Sequence, residues 1–535
     1  MRKKLLFISF MFFQCLVFAQ EDAWVYFADK EDVSNAIANP LTILTQKAID
    51  RKANHNITID SRDVPVNESY ISQVKNADGI VVYAKSKWFN AVHVRGSESD
   101  INDLLNLGFV TSVDFADDSL NMSPTQINTS NNKFEIEDAF ISFEYGNTQN
   151  QVEMISADDL HALDYTGEGI TVAVLDAGFP NVNTMGAFQR LRDAGNLLGG
   201  YDFVNKTADV FAYSGNTHGT KVLSTMAGFV QDQFVGTAPD ASYYVFRTEE
   251  AEHENPVEES YWVEAAERAD SLGVDIINTS LGYKGYDNSN YSYTANDLDG
   301  NTAFITRGAN IAFEKGILLV NSAGNAGTSG VNAPADAEGV FSIGAVDEDG
   351  VYVSFSSQGS AIQPTQKPDV VARGRTAYVI GPDNTIVQNN GTSFSSPIMA
   401  GGLACLLQAL PNLTNVEVLQ YVRQSASQYT TPDYFLGYGI PDLENALTMA
   451  LNDQMSNQTE FKLFPNPVED ELQIIFPNET ESAQLYIHDV LGKLIVNVVI
   501  QPLRSIDLKQ LSSGLYLVKI EADNVKSKSF KLLKE

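Results

Sequence analysis

The order of hydrophobic and polar positions divides the chain before any single residue is considered. Arg2, Lys3 and Lys4 precede an apolar run over 5–13 and a second over 15–19, interrupted by Gln14. That profile, with small Val17 and Ala19 ahead of a cut, predicts a signal peptide over 1–19. It is too short to span a hydrocarbon layer of ~30 Å. Over 20–118 the pattern predicts a small α+β unit. Strands are expected over 79–84, 90–95 and 110–115, and a helix over 97–107 with Ile101, Leu104 and Leu105 on one face. The Asn- and Ser-rich stretch 119–133 has no periodicity and opens a linker and processing region over 119–150.

From 151 to 451 continuous apolar runs alternate with helical patterns. Strands are expected over 169–175, 242–246, 274–277 and 316–320, and helices over 260–271, 302–315 and 393–410. Apolar strands separated by helices predict an α/β domain around a buried parallel sheet. In such sheets ligands bind beyond the carboxyl ends of the strands. The last 75 residues, 461–535, alternate over 472–476, 483–487, 493–496 and 515–520, with Pro477, Gly492 and Gly514 at turns between them. This pattern predicts a small antiparallel β-sandwich. After the first 19 residues no run of ~18 apolar residues remains, so the mature chain is expected to have no transmembrane segment.

Composition narrows the functional classes. The chain has 535 residues, 44% of them hydrophobic, and a formal charge of −33. Residues 1–19 hold three basic and no acidic groups, and 461–535 hold nine basic against ten acidic. The acidity therefore belongs to the stretch between them, whose field repels phosphate backbones and argues against nucleic acid as a partner. Only Cys15 and Cys405 are present, which excludes a disulfide framework and a multi-cysteine zinc site. Cys405 falls in an apolar helical stretch and reads as a core thiol. His253 and Glu254 begin like a zinc-peptidase helix, but Val257 stands where the second His is required. His55, His93, His161 and His488 are scattered, and no loop ending in Gly-Lys-Ser/Thr is present.

Three polar residues sit where the sheet rule points. Asp176 follows the 169–175 strand, His218 stands in the run Asn216, Thr217, His218, Gly219, Thr220, and Ser393 opens the 393–410 helix within Asn390 to Pro397. A Ser at a helix N-terminus has backbone donors and the positive end of the dipole beside its hydroxyl. Pro397 is expected to fall in the first turn of that helix, where an N–H has no helical partner. Singly each residue fits a cap or a turn; together they offer a nucleophile, a base and an orienting carboxylate.

In that order these motifs resemble the subtilisin-like (subtilase) serine peptidases, over roughly 151–451. The resemblance implies a secreted endopeptidase with Asp176, His218 and Ser393 as catalytic residues. Asn325, which ends the segment from Leu318, is implied as the oxyanion donor. Ser280, Leu281 and Gly282 are implied as the edge that pairs with substrate, and neutral Asn332 as part of the primary pocket, favouring broad, apolar-directed cleavage. The chain departs from the family in having Ala177 after the aspartate, where Ser or Thr is usual, and Phe394 after the serine, where Met is usual. No cofactor is required on this reading. Calcium, which subtilases often bind, has candidate oxygens at Asp297, Asp299 and Asn301.

The 20–118 unit, lying before a peptidase, reads as a propeptide that blocks the cleft, with autocleavage expected between Ser119 and Gln151. Phe464 to Pro467, Asp489 to Lys493, Leu511 to Tyr516 and the basic finish at Lys526 to Lys534 resemble the sorting domain of type IX secretion cargo in Bacteroidetes. That resemblance implies export through the periplasm and across the outer membrane, the secretion machinery as a partner, and loss of the domain on the way. The alternative class is a surface or adhesion protein that keeps the subtilase scaffold without activity.

Overall fold

The computed structural model describes residues 20–121, 143–456 and most of 461–534. The signal peptide expected over 1–19, and positions 122–142 of the expected processing region, lie outside the described residues.

The N-terminal unit is built from β1 (Glu21–Phe27), α1 (Gln46–Asn54), α2 (Glu68–Lys75), β2 (Val81–Ser86), β3 (Ala91–Gly96), α3 (Glu98–Asp103) and β4 (Val110–Phe115). Its four strands form an antiparallel sheet in the order β2-β3-β1-β4. Alternate residues of a strand face opposite sides. Ala23 and Val25 accordingly bury against Ile71 and Val74 of α2 and Ile101 of α3. Trp24, between them, faces the other way and joins the core of the next domain.

That domain holds β5 (Thr171–Asp176), β6 (Leu197–Asp202), α4 (His218–Ala227), β7 (Ser242–Arg247), α5 (Val257–Leu272), β8 (Ile276–Thr279), α6 (Phe304–Glu314), β9 (Leu318–Ser322), β10 (Val340–Val346), β11 (Val370–Arg373) and α7 (Thr392–Ala409). Its seven strands are all parallel, in the order β11-β10-β9-β8-β5-β7-β6. Every residue of β5 is buried, because helices cover both faces of the sheet. Val172, Val174 and Val320 pack on one face among residues of α4 and α7. Ala173, Leu175 and Leu319 pack on the other among residues of α5 and α6. The chain passes from β5 outward to β6 and β7 and then returns to β8 on the opposite side. The carboxyl end of β5 is thus the switch point of the sheet.

The C-terminal unit stacks two antiparallel sheets. One has three strands, Lys462–Phe464, Glu471–Ile475 and Ile506–Asp507. The other has four, in the order Leu494–Ile500, Ala483–Asp489, Gly514–Ala522 and Val525–Lys534. Leu472 and Ile474 share a core with Leu485, Ile487, Val518 and Ile520. The α/β domain, the flanking α+β unit and the β-sandwich have the architecture expected from the sequence. No helix among the described residues is long and apolar enough to cross a membrane.

Candidate active site

The switch point brings three distant segments together. β5 ends in Asp176, whose side chain is wholly buried and accepts from the Ala177 N–H at 2.7 Å. Its Oδ1 lies 2.8 Å from Nδ1 of His218. His218 is the first residue of α4, and its backbone N–H donates to the Asn216 side chain at 2.8 Å, so Asn216 fixes the start of the helix that carries it. The imidazole is 29% exposed and stands 5.9 Å, ring to ring, from Phe394. Burial disfavours its charged form. The Asp176 carboxylate more than offsets this, and the pKa of His218 is raised.

Ser393 is the second residue of α7, a helix that is buried on nearly all sides. Pro397 lies in its second turn, not the first as expected. In a regular helix the Pro397 nitrogen would donate to the Ser393 carbonyl, and proline has no hydrogen to give. The hydroxyl of Ser280 donates to that carbonyl instead, at 2.9 Å. The Ser393 hydroxyl in turn donates to the Ser280 carbonyl at 3.2 Å, and it makes no hydrogen bond to His218. Ser396 and Asn278 (2.9 Å), then Asn278 and Ser280 (3.3 Å), continue this lattice and tie the start of α7 to the end of β8.

Asn325 lies just beyond β9. Its Oδ1 accepts both from the Thr392 N–H (2.9 Å) and from the Thr392 hydroxyl (3.1 Å), which leaves the amide hydrogens pointing elsewhere. Gly391, with φ 143°, turns the chain into α7. A Cβ there would stand 3.4 Å from the Asn325 Nδ2 and crowd it. Leu281 and Gly282 follow β8 as an edge unpaired with any strand, their carbonyls accepting from Asn321 (3.1 Å) and Asn332 (3.4 Å). Asn332 thus lines the same hollow as Gly282. All eight residues singled out in the sequence lie around the ends of β5, β8 and β9.

Some contributors escaped the sequence reading. Thr392 orients Asn325 and Asn216 anchors His218; both belong to motifs already singled out but had no assigned role. Glu249 was missed altogether. It lies just past β7, on the carboxyl edge of the sheet where the sequence reading expected function. Only 8% exposed, it accepts from the Tyr283 hydroxyl (2.6 Å) and the Thr248 hydroxyl (2.7 Å), and burial lifts its pKa to about 7. The neighbouring Thr248 N–H donates to the Asp176 carbonyl at 3.2 Å.

The remaining candidates have structural duties. Asp299 accepts from the N–H groups of Asn301 and Thr302 (2.9 and 2.8 Å), and Asp297 from that of Thr294 (2.6 Å), so these acids close turns. Among the described residues no three His, Cys, Asp or Glu side chains gather as a metal site. His253 pairs with Asp287 at the surface (3.2 Å). Cys405 is a free, fully buried thiol against the Thr237 carbonyl, and burial pushes its pKa up.

Comparison with known proteins identifies the family and the flanking domains. Residues 22–134 match the model of the peptidase S8 propeptide domain of Bacteroidota, 167–439 that of the subtilase family, and 462–535 that of a secretion system C-terminal sorting domain. Subtilisin DY of Bacillus licheniformis is 30% identical over 300 residues, 55% of this chain and 97% of that protein. Subtilisin E of Bacillus subtilis is 30% identical over 317 residues, 58% of this chain and 74% of that protein. The crystal structure of MycP1 from the ESX-1 type VII secretion system aligns at 21% identity with a TM-score of 0.46, over 59% of this chain and 89% of that one. Since one family model matches half of its length, the chain belongs to the subtilase family and is a serine endopeptidase, made with a propeptide and a sorting domain for secretion.

Proposed function

We propose that this enzyme hydrolyses peptide bonds of proteins through an acyl-enzyme on Ser393, with His218 as base and Asp176 as the carboxylate that orients it. The observation carrying this is the 2.8 Å contact between a wholly buried Asp176 and the Nδ1 of His218, beside the start of the Ser393 helix. With Nδ1–H committed to Asp176, Nε2 is left as the acceptor for the Ser393 proton.

Substrate backbone laid along Ser280–Gly282 is read by main-chain pairing, which tolerates many sequences. Rotation of the Ser393 hydroxyl from the Ser280 carbonyl towards His218 starts the reaction. The oxygen attacks the scissile carbonyl carbon as its proton passes to His218. The oxyanion is held by the Ser393 N–H, which has no partner in the first helical turn, and by the free amide hydrogens of Asn325. Collapse breaks the C–N bond, and His218 returns the proton to the leaving amine. Water then hydrolyses the ester by the same route. Side chains and water suffice, so the reaction needs no cofactor. Asn332 places no charge in the primary pocket, which favours uncharged side chains there.

The 20–118 unit acts as propeptide and inhibitor. The sorting domain directs the chain through the periplasm and across the outer membrane and is removed on the way. Ser393→Ala tests the assignment: the variant is expected to lose both fluorophosphonate labelling and casein hydrolysis. Labelling retained at the wild-type level would refute it.

A further inference from the structure

One segment of the propeptide grips the protease where inhibition does not require it. Residues 28–67, between β1 and α2, leave the propeptide sheet, and 45–63 run along the amino ends of the catalytic strands. The Thr45 N–H donates to the Ser271 carbonyl at the end of α5 (2.9 Å). From α1, Lys47 reaches the Gly169 carbonyl (3.2 Å), the Thr171 hydroxyl (2.7 Å) and Asp275 (2.5 Å), at the starts of β5 and β8. Arg51 donates to the Val274 carbonyl and to Asp270. Gly273 closes α5 at φ 80°, and a Cβ there would stand 2.6 Å from the Ala48 nitrogen, so helix α1 rests directly on backbone. Asp176 lies at the other end of β5, about 17 Å away at ~3.3 Å per residue.

The charges at this contact interlock. Lys52 of the propeptide bridges Asp270 of the protease (2.8 Å) and Asp63 of the propeptide (3.1 Å). Lys315 of the protease bridges Asp63 (2.8 Å) and Asp60 (3.1 Å) of the propeptide. The side chains of Lys52, Asp63, Asp270 and Lys315 are each at most 1% exposed. Arg51, Lys52 and Lys87 of the propeptide converge on the protease's buried Asp270, and Asp60 and Asp63 on its buried Lys315, so Asp270 and Lys315 lose these partners when the segment leaves. Losing one partner of a buried ion pair is strongly unfavourable. Lys30 joins this segment to the propeptide's own sheet, donating to the carbonyls of Ser61, Val64 and Lys87 at 2.6 Å each.

We propose that 45–63 is an anchor that keeps the cleaved propeptide on the protease from the end of the sheet opposite the cleft, whatever the cleft contains. Its counterpart on the protease, Asp270 to Asp275 with Lys315, is a docking surface for a helical segment carrying lysine and arginine. This rests on the reading of the N-terminal unit as a propeptide that is cut away.

The test uses the full chain carrying Ser393→Ala and a recognition sequence for a foreign endopeptidase placed between positions 122 and 142. The cut is then made from outside and retention does not depend on the chain's own catalysis. After cutting, the propeptide is expected to co-elute with the protease in gel filtration, and Lys52→Met to speed its dissociation at least a hundredfold. Should that variant fail to fold, Lys47→Ala with Arg62→Ala removes pairs at the partly exposed rim and is expected to speed dissociation at least tenfold. Wild-type retention in a folded variant, or a wild-type propeptide that leaves at once on cutting, overturns the anchor. Failure of the protease reading shows separately, as a chain with native Ser393 and no inserted sequence that never cuts itself.

Discussion

His218 is held between two opposed influences, desolvation and the Asp176 carboxylate, and the second prevails. The sign of the pH dependence follows. A base must be neutral to accept the Ser393 proton, and its raised pKa keeps it charged up to a higher pH. Activity should therefore fall as pH drops through a value above the ordinary histidine pKa of about 6.5. Asp176→Asn leaves burial as the main influence, so the acid limb of kcat/KM should move below about 6.5 while kcat falls by roughly 10⁴. A limb that stays in place would detach Asp176 from the titration. The pairing was legible only through the order of the Asp176, His218 and Ser393 motifs, which resembles the subtilases, since singly each residue fits a cap or a turn. The Ser280 link to Ser393 was not, since it arises from a carbonyl that Pro397 leaves without a donor 113 residues away.

At the level of elements, legibility followed hydrophobicity. Strands β5, β7, β8 and β9 are apolar runs, and each was expected within two residues of its bounds. β6 is interrupted by Gly199 and Gly200, β10 by Ser342 and Gly344, and β11 has only four residues with no helical pattern before it, so none stood out. A helical run was expected after the first strand of the N-terminal unit, but α1 could not be given bounds: it buries Arg51 and Lys52 against acids, so its inward face looks polar in sequence. The short helix Ala157–Ala162 shows how an element can carry pH sensitivity. Its His161 is fully buried, takes part in hydrogen bonds with Tyr145 (2.9 Å) and the Thr237 carbonyl (3.1 Å), and burial lowers its pKa to about 4. The unfolded chain takes up a proton near pH 6.5 and the folded one only near 4. Stability is thus lost as pH falls between these values, by on the order of 3 kcal/mol. His161→Gln should flatten the melting temperature over that interval; an unchanged slope would assign it to other groups.

In the whole molecule, the charge and the core divide differently. The negative charge lies between the two ends of the chain, where it favours solubility and repels polyanions. Processing should fall upstream of Phe143, because Thr148 bonds the backbone of Val235 and Gln151 that of Tyr378, which makes this segment part of the catalytic domain. N-terminal sequencing of the secreted enzyme should begin between 123 and 143, and a start near Gln20 would show that no propeptide is removed. The core ignores this division. Trp24 stacks on Phe304 at 4.4 Å, and Trp24, Ala84 and Trp88 belong to one cluster with Trp262 and Phe246. Once the propeptide departs, Trp24, Ala84 and Trp88 leave this shared interior with it. The cut form is therefore expected to regain activity after denaturation less completely than the full chain, and equal recovery without the propeptide would refute this. A core shared across a cut site would in that case make processing a step the fold cannot retrace.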